Sequence, residues 1–328
     1  MIDQADFEAV VRRAALAPSA HNTQGARWVL RGGSILIGAD PAAALPVGDP
    51  SGRDMGLSCG AAVEATVLAL SALGYGATVQ DEWQAEDHHT IKGLRLAARL
   101  HLTPGGVEDG LHPQLERRFT FRGLFEPQVD LFGWDRADAV LVTDASRRDW
   151  LAELNDTVSL QIMNDRAFRR ELTSWMRLRR GHPRYAHDGL NREAMGMRTV
   201  EALAVPLALG PLWRLLGALG RTEGLVAEAE ATRTAPVIAC FHRPCGESPV
   251  TSGRAYLRMC LEAASLGMAG WPMASLADDA RSNAEICERL HLPEDRRLIQ
   301  VIRIGRPTGT APTRARRPLK ELIVEAGS

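Results

Sequence analysis

Two long stretches of the chain carry apolar side chains at helical spacing and end at a glycine. In residues 58–73 nearly every position is apolar or small, and Gly74 follows. From Gly253 to Leu266 the apolar positions gather on one face, and Gly267 follows. Glycine directly after a helix is typical of a C-cap. A helix that is apolar on all sides is found inside a protein, so the first stretch is predicted to be buried all round.

Shorter patterns predict the elements around these two helices. Apolar runs bounded by glycine, proline or polar residues indicate strands, and the two that flank Gly32-Gly33 indicate a hairpin. Apolar positions from Phe7 onward have helical spacing, and Pro18 ends that helix. The predicted strands are 28–30, 34–38, 93–102, 139–143, 236–241 and 298–304, and a further helix is predicted over 147–180.

The two apolar helices align at an offset of 193 residues. The identical pairs are Ala62 with Ala255, Leu68 with Leu261, Leu73 with Leu266 and Gly74 with Gly267. Each half also has the same order of elements: helix, strand, long buried helix, strand. The sequence therefore predicts an α+β fold built from two related halves, residues 1–112 and 113–328. Their long helices are expected to pack together as they would in a symmetric dimer.

Residues 181–234 differ in character from both halves. Prolines and glycines, among them Pro183, Pro206 and the pair Gly210-Pro211, interrupt short helical stretches. The segment is too long for a plain loop and too broken for a core helix. Two interpretations remain open: a helical flap that covers a site, and a surface insertion without a role.

Composition narrows the class of protein. The 328 residues include 39 Lys plus Arg against 40 Asp plus Glu, so no overall field favours nucleic acid or an acidic membrane surface. The five cysteines have no metal-binding or disulfide spacing. No stretch reaches the ~18 apolar residues of a membrane span. We expect a cytoplasmic protein with a small-molecule substrate, no metal, no nucleic acid and no membrane partner. A basic tail after Asp295 is the one feature in favour of nucleic acid.

Two polar stretches could hold a ligand. Arg117, Arg118 and Arg122, with Thr120 between them, offer permanently charged donors suited to a phosphate or carboxylate, although a solvated surface cluster would look the same. Residues 18–24 contain two hydroxyls, an imidazole and two carboxamides, which suit the edge of a planar heteroaromatic ring. The alternative is an ordinary helix-to-strand connection. Within these stretches His21 is either a donor or a structural histidine. Cys59, at a helix start, is either a thiol of lowered pKa or buried filler.

These motifs resemble a known family. Arg118-Phe119-Thr120-Phe121-Arg122-x-x-Phe125 is similar to the opening signature of nitroreductases, Arg-x-Ser/Thr-x-Arg/Lys-x-x-Phe, whose charged residues hold FMN. Pro18-Ser19-x-x-Asn22-x-Gln24 resembles the loop that reaches the flavin from the other subunit of nitroreductase dimers. Together with 49–53, 58–62 and Arg316-Arg317-Pro318-Leu319, these motifs are similar to the tandem branch of Acg-like FMN-binding oxidoreductases, over nearly the whole chain.

The resemblance implies one FMN per chain. The first half has the Pro-Ser-x-x-Asn loop without the arginine opening, and the second has the opening without the loop, so the two halves complete one site between them. A monomer that is itself a fused pseudo-dimer follows, with further dimerisation left open. The implied FMN-binding residues are Pro18, Ser19, Ala20, Asn22, Arg118, Phe119, Thr120, Arg122, Pro272, Met273, Ala274, Arg316 and Arg317.

The resemblance assigns these residues to different parts of the FMN molecule. Arg118 and Arg122, with Thr120, would face the phosphate or the pyrimidine edge, and Arg316 and Arg317 would close on the phosphate. Residues 272–274 lie where the family presents a backbone N–H to flavin N5. One departure affects the pocket wall: the family continues Gln-Pro-Trp after the loop, and this chain reads Gln24-Gly25-Ala26-Arg27-Trp28.

The implied activity is a flavin-dependent hydride transfer. Hydride would pass through flavin N5 from NAD(P)H to a small organic acceptor such as a nitroaromatic or a quinone, and such chemistry needs no acid–base pair from the protein. Two alternatives fit the same sequence. One is a protein that sequesters FMN beneath the flap with little reductase activity, and the other is a specialised redox enzyme of a biosynthetic pathway.

Overall fold

The computed structural model describes residues 2–84, 90–131 and 133–325. It contains both helices and strands, and every sheet of more than two strands within these ranges is antiparallel. The elements up to residue 104 are α1 (Gln4–Ala14), β1 (Ala26–Arg31), β2 (Ser34–Ala39), α2 (Arg53–Ala72), β3 (Tyr75–Asp81), β4 (Thr90–Ile91) and β5 (Leu94–Pro104).

The remaining elements include a group of short helices between residues 199 and 234. The elements after residue 104, in chain order, are α3 (Gln114–Arg117), β6 (Ala139–Val142), α4 (Ala145–Asn164), α5 (Arg166–Trp175), β7 (Met176–Arg177), β8 (Leu190–Asn191), α6 (Thr199–Leu209), α7 (Trp213–Ala218), α8 (Glu223–Val226), α9 (Ala229–Thr234), β9 (Val237–Pro244), α10 (Pro249–Ser265), β10 (Ala269–Pro272), α11 (Ser275–Asp278), α12 (Ala280–Arg289), β11 (Arg296–Gly305) and α13 (Leu319–Leu322).

Two sheets flank a central pair of helices. The first sheet has the strand order β1-β2-β5-β3, with β4 also paired to β5, and the second has the order β10-β11-β9-β6. Helix α2 packs along α10, and Val250, Leu257 and Leu261 of α10 belong to the same buried cluster as the apolar residues of α2. The predicted α+β class is confirmed. The predicted contact between the two apolar helices is also present.

The long helices differ from their predicted bounds in one instructive place. Helix α2 starts at Arg53, five residues before the predicted start, and Leu73 just beyond its end is 42% exposed, so the expectation of burial on all sides is wrong at that residue. By length and composition alone α2 could cross a membrane, and it is the one such helix in the described ranges, but most of it is buried inside the protein.

The single helix predicted over 147–180 is wrong. The chain forms α4 and α5 with a break at Asp165, where the backbone is extended. The Asp165 side chain caps α5 by accepting a hydrogen bond from Ala167 N. Aspartate favours such N-cap positions over a helix interior, because its carboxylate can accept from the free amides of the first turn. After Trp175 the chain turns into β7, which pairs in parallel with β8.

The C-terminal tail crosses to the first sheet. Ile323 forms a parallel bridge with Trp28, and Val324 N donates to Trp28 O at 2.9 Å. The buried Trp28 ring is fixed from its other end by a hydrogen bond of its indole N–H to Thr66 Oγ1 at 2.9 Å. Residues of the tail that precede this anchor, from Arg314 to Arg317, are thereby placed beside the loop at residues 18–24.

Candidate functional site

A cavity lies where the first half meets the second. The space between its walls is about 420 Å³, a volume that includes open solvent at its mouth. Pro18 contributes from the first half, and the segment 118–120, helix α10 and strands β10 and β11 contribute from the second. Its polar lining consists of Arg118, Thr120, Tyr256 and Cys260, and its remaining walls are mainly apolar. Apolar walls with a few polar groups are typical of small-molecule sites.

The opening signature lies extended along the edge of the second sheet. Thr120 forms a parallel bridge with Gly270 of β10, and Phe121 N donates to Gly270 O at 3.1 Å. The Phe121 ring packs edge-on against Phe119 and Phe125, with centroids 6.2 and 5.6 Å away. Arg118 and Arg122 stand at the two ends of this segment, and of the two it is Arg118 that lines the cavity.

Arg118 forms a cationic cluster with Arg314 and Arg316 of the tail. Arg316 donates to Leu16 O at 3.2 Å and to Asn22 Oδ1 at 3.1 Å, and Arg118 donates to the same Leu16 O at 3.5 Å. Arg314 donates to Arg118 O at 2.9 Å. Every acceptor of these three side chains within the described residues is neutral, and the buried Nε atoms of Arg118 and Arg316 have none there. The cluster thus holds positive charge without a bonded carboxylate.

The pKa values of these arginines reflect the excess of positive charge in the cluster. Burial, with the neighbouring charges of Arg118 and Arg314, lowers the pKa of Arg316 to about 9. Burial also lowers the pKa of Arg118. These shifts mean that the protein destabilises its own cations here, since desolvation and like charges both disfavour the protonated form. An anion bound beside them would reverse the effect.

Arg122 and Arg317 lie in other surroundings. Arg122 donates to Ala194 O at 2.8 Å, and its pKa is lowered by burial, with Glu228 and Arg303 as its charged neighbours. Arg317 is paired with Asp188 at 2.7 Å and with Glu321 at 3.3 Å. Of the four arginines predicted to hold the cofactor, the structure brings Arg118 and Arg316 together, while Arg317 is neutralised.

The loop at 18–24 is strained and tightly held. His21, Asn22 and Gln24 have positive φ angles of 46°, 54° and 51°, which non-glycine residues adopt rarely. Ser19 Oγ accepts from Gln24 N at 3.0 Å, and Ala20 N donates to Ser58 Oγ at 3.1 Å. Ser19, Ala20 and Asn22 do not line the cavity described above, whereas Pro18 does. The Ser19 and Asn22 side chains fix the loop shape that places Pro18.

Arg27 lies in the stretch that departs from the family pattern, and its side chain holds the loop at residues 18–24 in place. Its buried guanidinium pairs with Asp40 at 2.6 Å and donates to Gln24 O at 2.7 Å. The Gln24 side chain then bridges outward, because its Nε2 donates to His187 O at 2.8 Å and its Oε1 accepts from Arg317 N at 2.9 Å. Arg27 is thus built into the frame of the loop.

Residues 272–274 end strand β10 beside the cavity. Pro272 lines the cavity and has no N–H, and the N–H of buried Met273 donates to Val301 O at 2.7 Å. Ala274 precedes the first turn of α11, and its N–H has no hydrogen-bond acceptor in the described part of the chain. If this segment offers a donor to a ligand, Ala274 supplies it.

The first part of the insertion covers the loop and the tail. Gly189 N donates to Asn22 O at 3.1 Å, and Asn22 Nδ2 returns a bond to Gly189 O at 3.1 Å. Asp188, 1% exposed, accepts from Arg177 and Arg184 and pairs with Arg317 of the tail. These arginines hold the pKa of Asp188 below its usual value in spite of burial. The cover is therefore fixed by a buried ionic network.

Sequence reasoning missed three residues of the site. Tyr256 and Cys260 line the cavity one turn apart on α10, and Arg314 completes the cationic cluster. Burial raises the pKa of Tyr256 well above 10, so its hydroxyl stays protonated and can donate. The i, i+4 spacing of Tyr256 and Cys260 was the available signal. Cys59 is buried filler, since burial raises its pKa to about 12, and His21 is held neutral as burial and Arg122 lower its pKa.

Comparisons with known proteins give the site a context. No family model matches the chain. Two Mycobacterium tuberculosis proteins, from strains CDC 1551 and H37Rv, carry the name NAD(P)H nitroreductase, and each is 29% identical over 180 residues, 53% of this chain and 52% of its own length. The chain thus spans about half the length of the curated relatives it matches. The similarity to nitroreductases inferred from the motifs is confirmed, and the tandem branch stays a prediction.

Solved structures with a similar trace are more distant. A nitroreductase from Anabaena variabilis aligns over 94% of this chain and 90% of its own, at 11% identity and a TM-score of 0.41. An iodotyrosine deiodinase bound to FMN and 3-iodo-L-tyrosine aligns over 66% of this chain and 99% of its own, at 13% identity and a TM-score of 0.37. The case for function therefore rests on the sequence relatives and on the site itself.

Proposed function

We propose that the chain binds one FMN in the cavity between its halves and is an NAD(P)H-dependent oxidoreductase of nitroreductase type. The observation that carries the proposal is the cluster of Arg118, Arg314 and Arg316, whose hydrogen bonds to described residues all go to neutral acceptors and whose charge lies between the loop at 18–24 and the segment at 118–122. A phosphate monoester is the anion that such a cluster suits, because it can accept from several guanidinium groups at once.

The lining of the cavity suits the rest of the cofactor. Beyond Arg118 the walls are apolar, with Thr120 and Tyr256 as hydroxyl donors, which suits a flat heteroaromatic ring with polar edges. Arg122, four residues further along the chain, donates to Ala194 O and would lie towards the pyrimidine edge of the ring. FMN bound here would supply hydride transfer between a nicotinamide donor and a small organic acceptor such as a nitroaromatic or a quinone.

The protein's own groups bind, orient and shield. Arg118 and Arg316 fix the phosphate end, and their buried, unpaired Nε atoms remain available to it. Pro18, held by the strained loop, closes the cavity from the first half, and Ala274 N–H is the free donor at the end of β10. The insertion keeps water from the loop side through the Asn22–Gly189 bonds. No step requires a proton from an acidic pair.

The two halves, 1–112 and 113–328, would then act as two subunits in one chain. The loop from one and the arginine opening from the other meet at the cavity, as one shared site requires. A monomeric unit with one FMN is the corresponding stoichiometry, and a cytoplasmic location remains part of the proposal.

One observation favours a second function, FMN sequestration. The insertion is tied to the loop and to the tail by Asp188 and its three arginines, so the cover does not resemble a loosely hinged lid. A cover of that kind would slow both cofactor release and acceptor entry. The same contacts serve an enzyme if the acceptor reaches the flavin from the open side of the cavity.

Two measurements on the purified chain separate these functions. The absorption spectrum after incubation with FMN and desalting should show flavin bands at one FMN per chain; their absence would remove the central proposal. Anaerobic addition of NADPH or NADH should then bleach the bands, and a nitroaromatic or quinone should restore them. If the flavin bands persist under an excess of NADPH and of NADH, sequestration of FMN remains as the proposed function.

A further inference from the structure

The outer surface of the insertion carries a row of exposed aliphatic side chains. On α6, α7 and the turn between them, six large residues are between 41 and 76% exposed. We call this surface the leucine face, and its members are Val200, Leu203, Leu207, Leu212, Leu215 and Leu219. Val200, Leu203 and Leu207 are spaced i, i+3 and i+7, which places them on one side of α6. Exposed apolar surface larger than scattered single residues is typical of a site of interaction.

The opposite side of the same helices is anchored to the protein. Trp213 is buried, its indole N–H donates to Asn164 Oδ1 at 3.2 Å, and the Arg169 guanidinium lies 4.7 Å above its ring. Arg169 also donates to Leu209 O at 3.0 Å. Ala202, Leu209 and Trp213 therefore occupy the inner side, and the leucine face cannot turn inward without breaking these contacts.

The stretch of chain that carries Leu203 to Leu219 has charges of one sign. No aspartate or glutamate occurs between Glu201 and Glu223, and the two charged residues in that interval are Arg214 and Arg221. Both are exposed, and neither forms an ion pair with any described residue. Two guanidinium groups beside an apolar surface match anionic headgroups above acyl chains.

The composition of the face argues against a protein partner. Interface cores are enriched in tryptophan, tyrosine and arginine, while leucine is under-represented among hot spots. Here the exposed large residues are aliphatic, and the tryptophan of α7 is buried. A second copy docked face to face would also bring its own Arg214 and Arg221 towards the same residues, with no carboxylate in the interval to pair them.

We propose that the leucine face binds the surface of an anionic lipid bilayer. Leu203, Leu207 and Leu215 would enter the boundary between headgroups and acyl chains, and Arg214 and Arg221 would contact the lipid phosphates. The uncharged run from Ala202 to Trp213 is too short to span a bilayer, so the contact is peripheral. This inference departs from the absence of a membrane partner expected from overall charge, because it depends on the local arrangement, and it does not depend on the flavin chemistry.

The test is flotation of the full chain with vesicles. Phosphatidylcholine vesicles with added phosphatidylglycerol should carry the protein upward, and phosphatidylcholine alone should carry much less. The variant Leu203→Gln/Leu207→Gln/Leu215→Gln should lose at least about tenfold of its partition into the anionic vesicles. Arg214→Gln/Arg221→Gln should abolish the preference for anionic lipid, and high salt should do the same to the unmodified chain.

Val107→Gln is the matched control, because Val107 is an aliphatic residue 87% exposed on another part of the surface. It should float as the unmodified chain does. All variants replace exposed side chains, so their thermal unfolding should match that of the unmodified chain. Failure of the unmodified chain to float, or equal flotation of the triple leucine variant, would overturn the proposal. So would a dimer in light scattering that the triple leucine variant abolishes, since a second copy would then cover the face.

Discussion

Gly60 and Gly253 occupy reciprocal positions where α2 and α10 cross. A Cβ atom on Gly60 would lie 2.1 Å from the carbonyl oxygen of Val250, and one on Gly253 would lie 2.1 Å from the carbonyl oxygen of Leu57. Gly60 and Gly253 are 193 residues apart, as are Leu57 and Val250. The sequence offset therefore reappears as a two-way contact in space, as expected when duplicated halves pack like subunits of a symmetric dimer.

Replacing either glycine should destabilise the protein. Gly60→Ala gains up to ~1 kcal/mol of helix propensity, but its Cβ meets a backbone carbonyl that cannot move without separating the helices, at a cost of about 1–3 kcal/mol or more. Gly253→Ala should cost about as much, since its contact is the mirror of the first. Urea unfolding measures both. The control is Gly224→Ala in α8, which meets nothing within 4 Å and should be neutral or stabilising. Unequal losses at the two sites would contradict the reciprocity.

Loss of Arg316 should weaken FMN binding. Its guanidinium donates only to neutral oxygens, so the variant Arg316→Gln removes a charge that the phosphate alone would neutralise. One charge-assisted hydrogen bond contributes about 1.5–3 kcal/mol, so the dissociation constant should rise roughly 10- to 100-fold. Fluorescence titration with FMN gives the value. Arg306→Gln is the control, as Arg306 lies in the same tail, 54% exposed at its side chain. Equal affinities in the two variants would place the phosphate elsewhere.

The FMN-free chain should respond to inorganic phosphate in a pH-dependent way. Burial and neighbouring arginines lower the pKa of Arg316 to about 9, well below its ordinary value, so the folded state holds this proton less tightly than the unfolded state. The cost of the buried charge is thus present at neutral pH and is relieved as pH rises above about 9. Phosphate should raise the melting temperature at pH 7, and the gain should shrink above pH 9. An identical gain in Arg316→Gln would exclude this residue as the phosphate ligand.

The main elements could be predicted because their patterns are local. The glycine-terminated apolar stretches became α2 and α10, and the strands formed within a few residues of their predicted bounds. The break at Asp165 was not visible, since helix periodicity continues through it and only the cap geometry reveals it. The strand β3 was missed because its residues alternate little in polarity and gain their order from pairing with β5.

The sequence indicated which arginines to consider for the site, but not which residues each of them contacts. Motif spacing identified Arg118 and Arg122 together, and only the tertiary structure shows that one faces Arg316 while the other donates to Ala194. Arg317 was also predicted as a cofactor ligand, and only the tertiary structure shows that Asp188, distant in sequence, pairs with it. Which carbonyl or carboxylate satisfies a guanidinium depends on contacts with residues far away in the sequence, 72 positions for Arg122 and Ala194, and no local pattern carries that information.

Removing the Asp188 carboxylate should loosen the cover. In Asp188→Asn three guanidinium groups lose their shared buried counterion, a change that typically costs about 3–5 kcal/mol when a buried pair is broken. Since Asp188 joins the insertion to Arg317 of the tail, FMN release should accelerate by tenfold or more, roughly 1.4 kcal/mol of barrier. Stopped-flow dilution, followed by flavin fluorescence, gives the rate of FMN release. Glu230→Gln, at a fully exposed residue of the same insertion, should release FMN at the original rate. An unchanged rate in Asp188→Asn would mean that the insertion does not retain the cofactor.

Asp278 should make stability depend on pH near neutrality. Burial and the adjacent Asp54 carboxylate raise the pKa of Asp278 to about 7, although Arg53, which bonds Asp278 and donates to Asp54 at 3.0 Å, opposes the shift. A carboxyl with a raised folded pKa contributes stability that is fully present below its unfolded value of 3.8 and is lost as pH rises through about 7. The variant Asp278→Asn keeps a neutral group at every pH.

The free energy of unfolding of Asp278→Asn, relative to that of the unmodified chain, should therefore increase by about 1–3 kcal/mol between pH 4 and pH 8 in urea unfolding. The control Asp295→Asn, at a side chain 75% exposed, should give parallel pH profiles. If the Asp278→Asn profile also runs parallel to that of the unmodified chain, the proton on Asp278 is not linked to folding, and Arg53 alone governs the charge at the junction of α2 and α11.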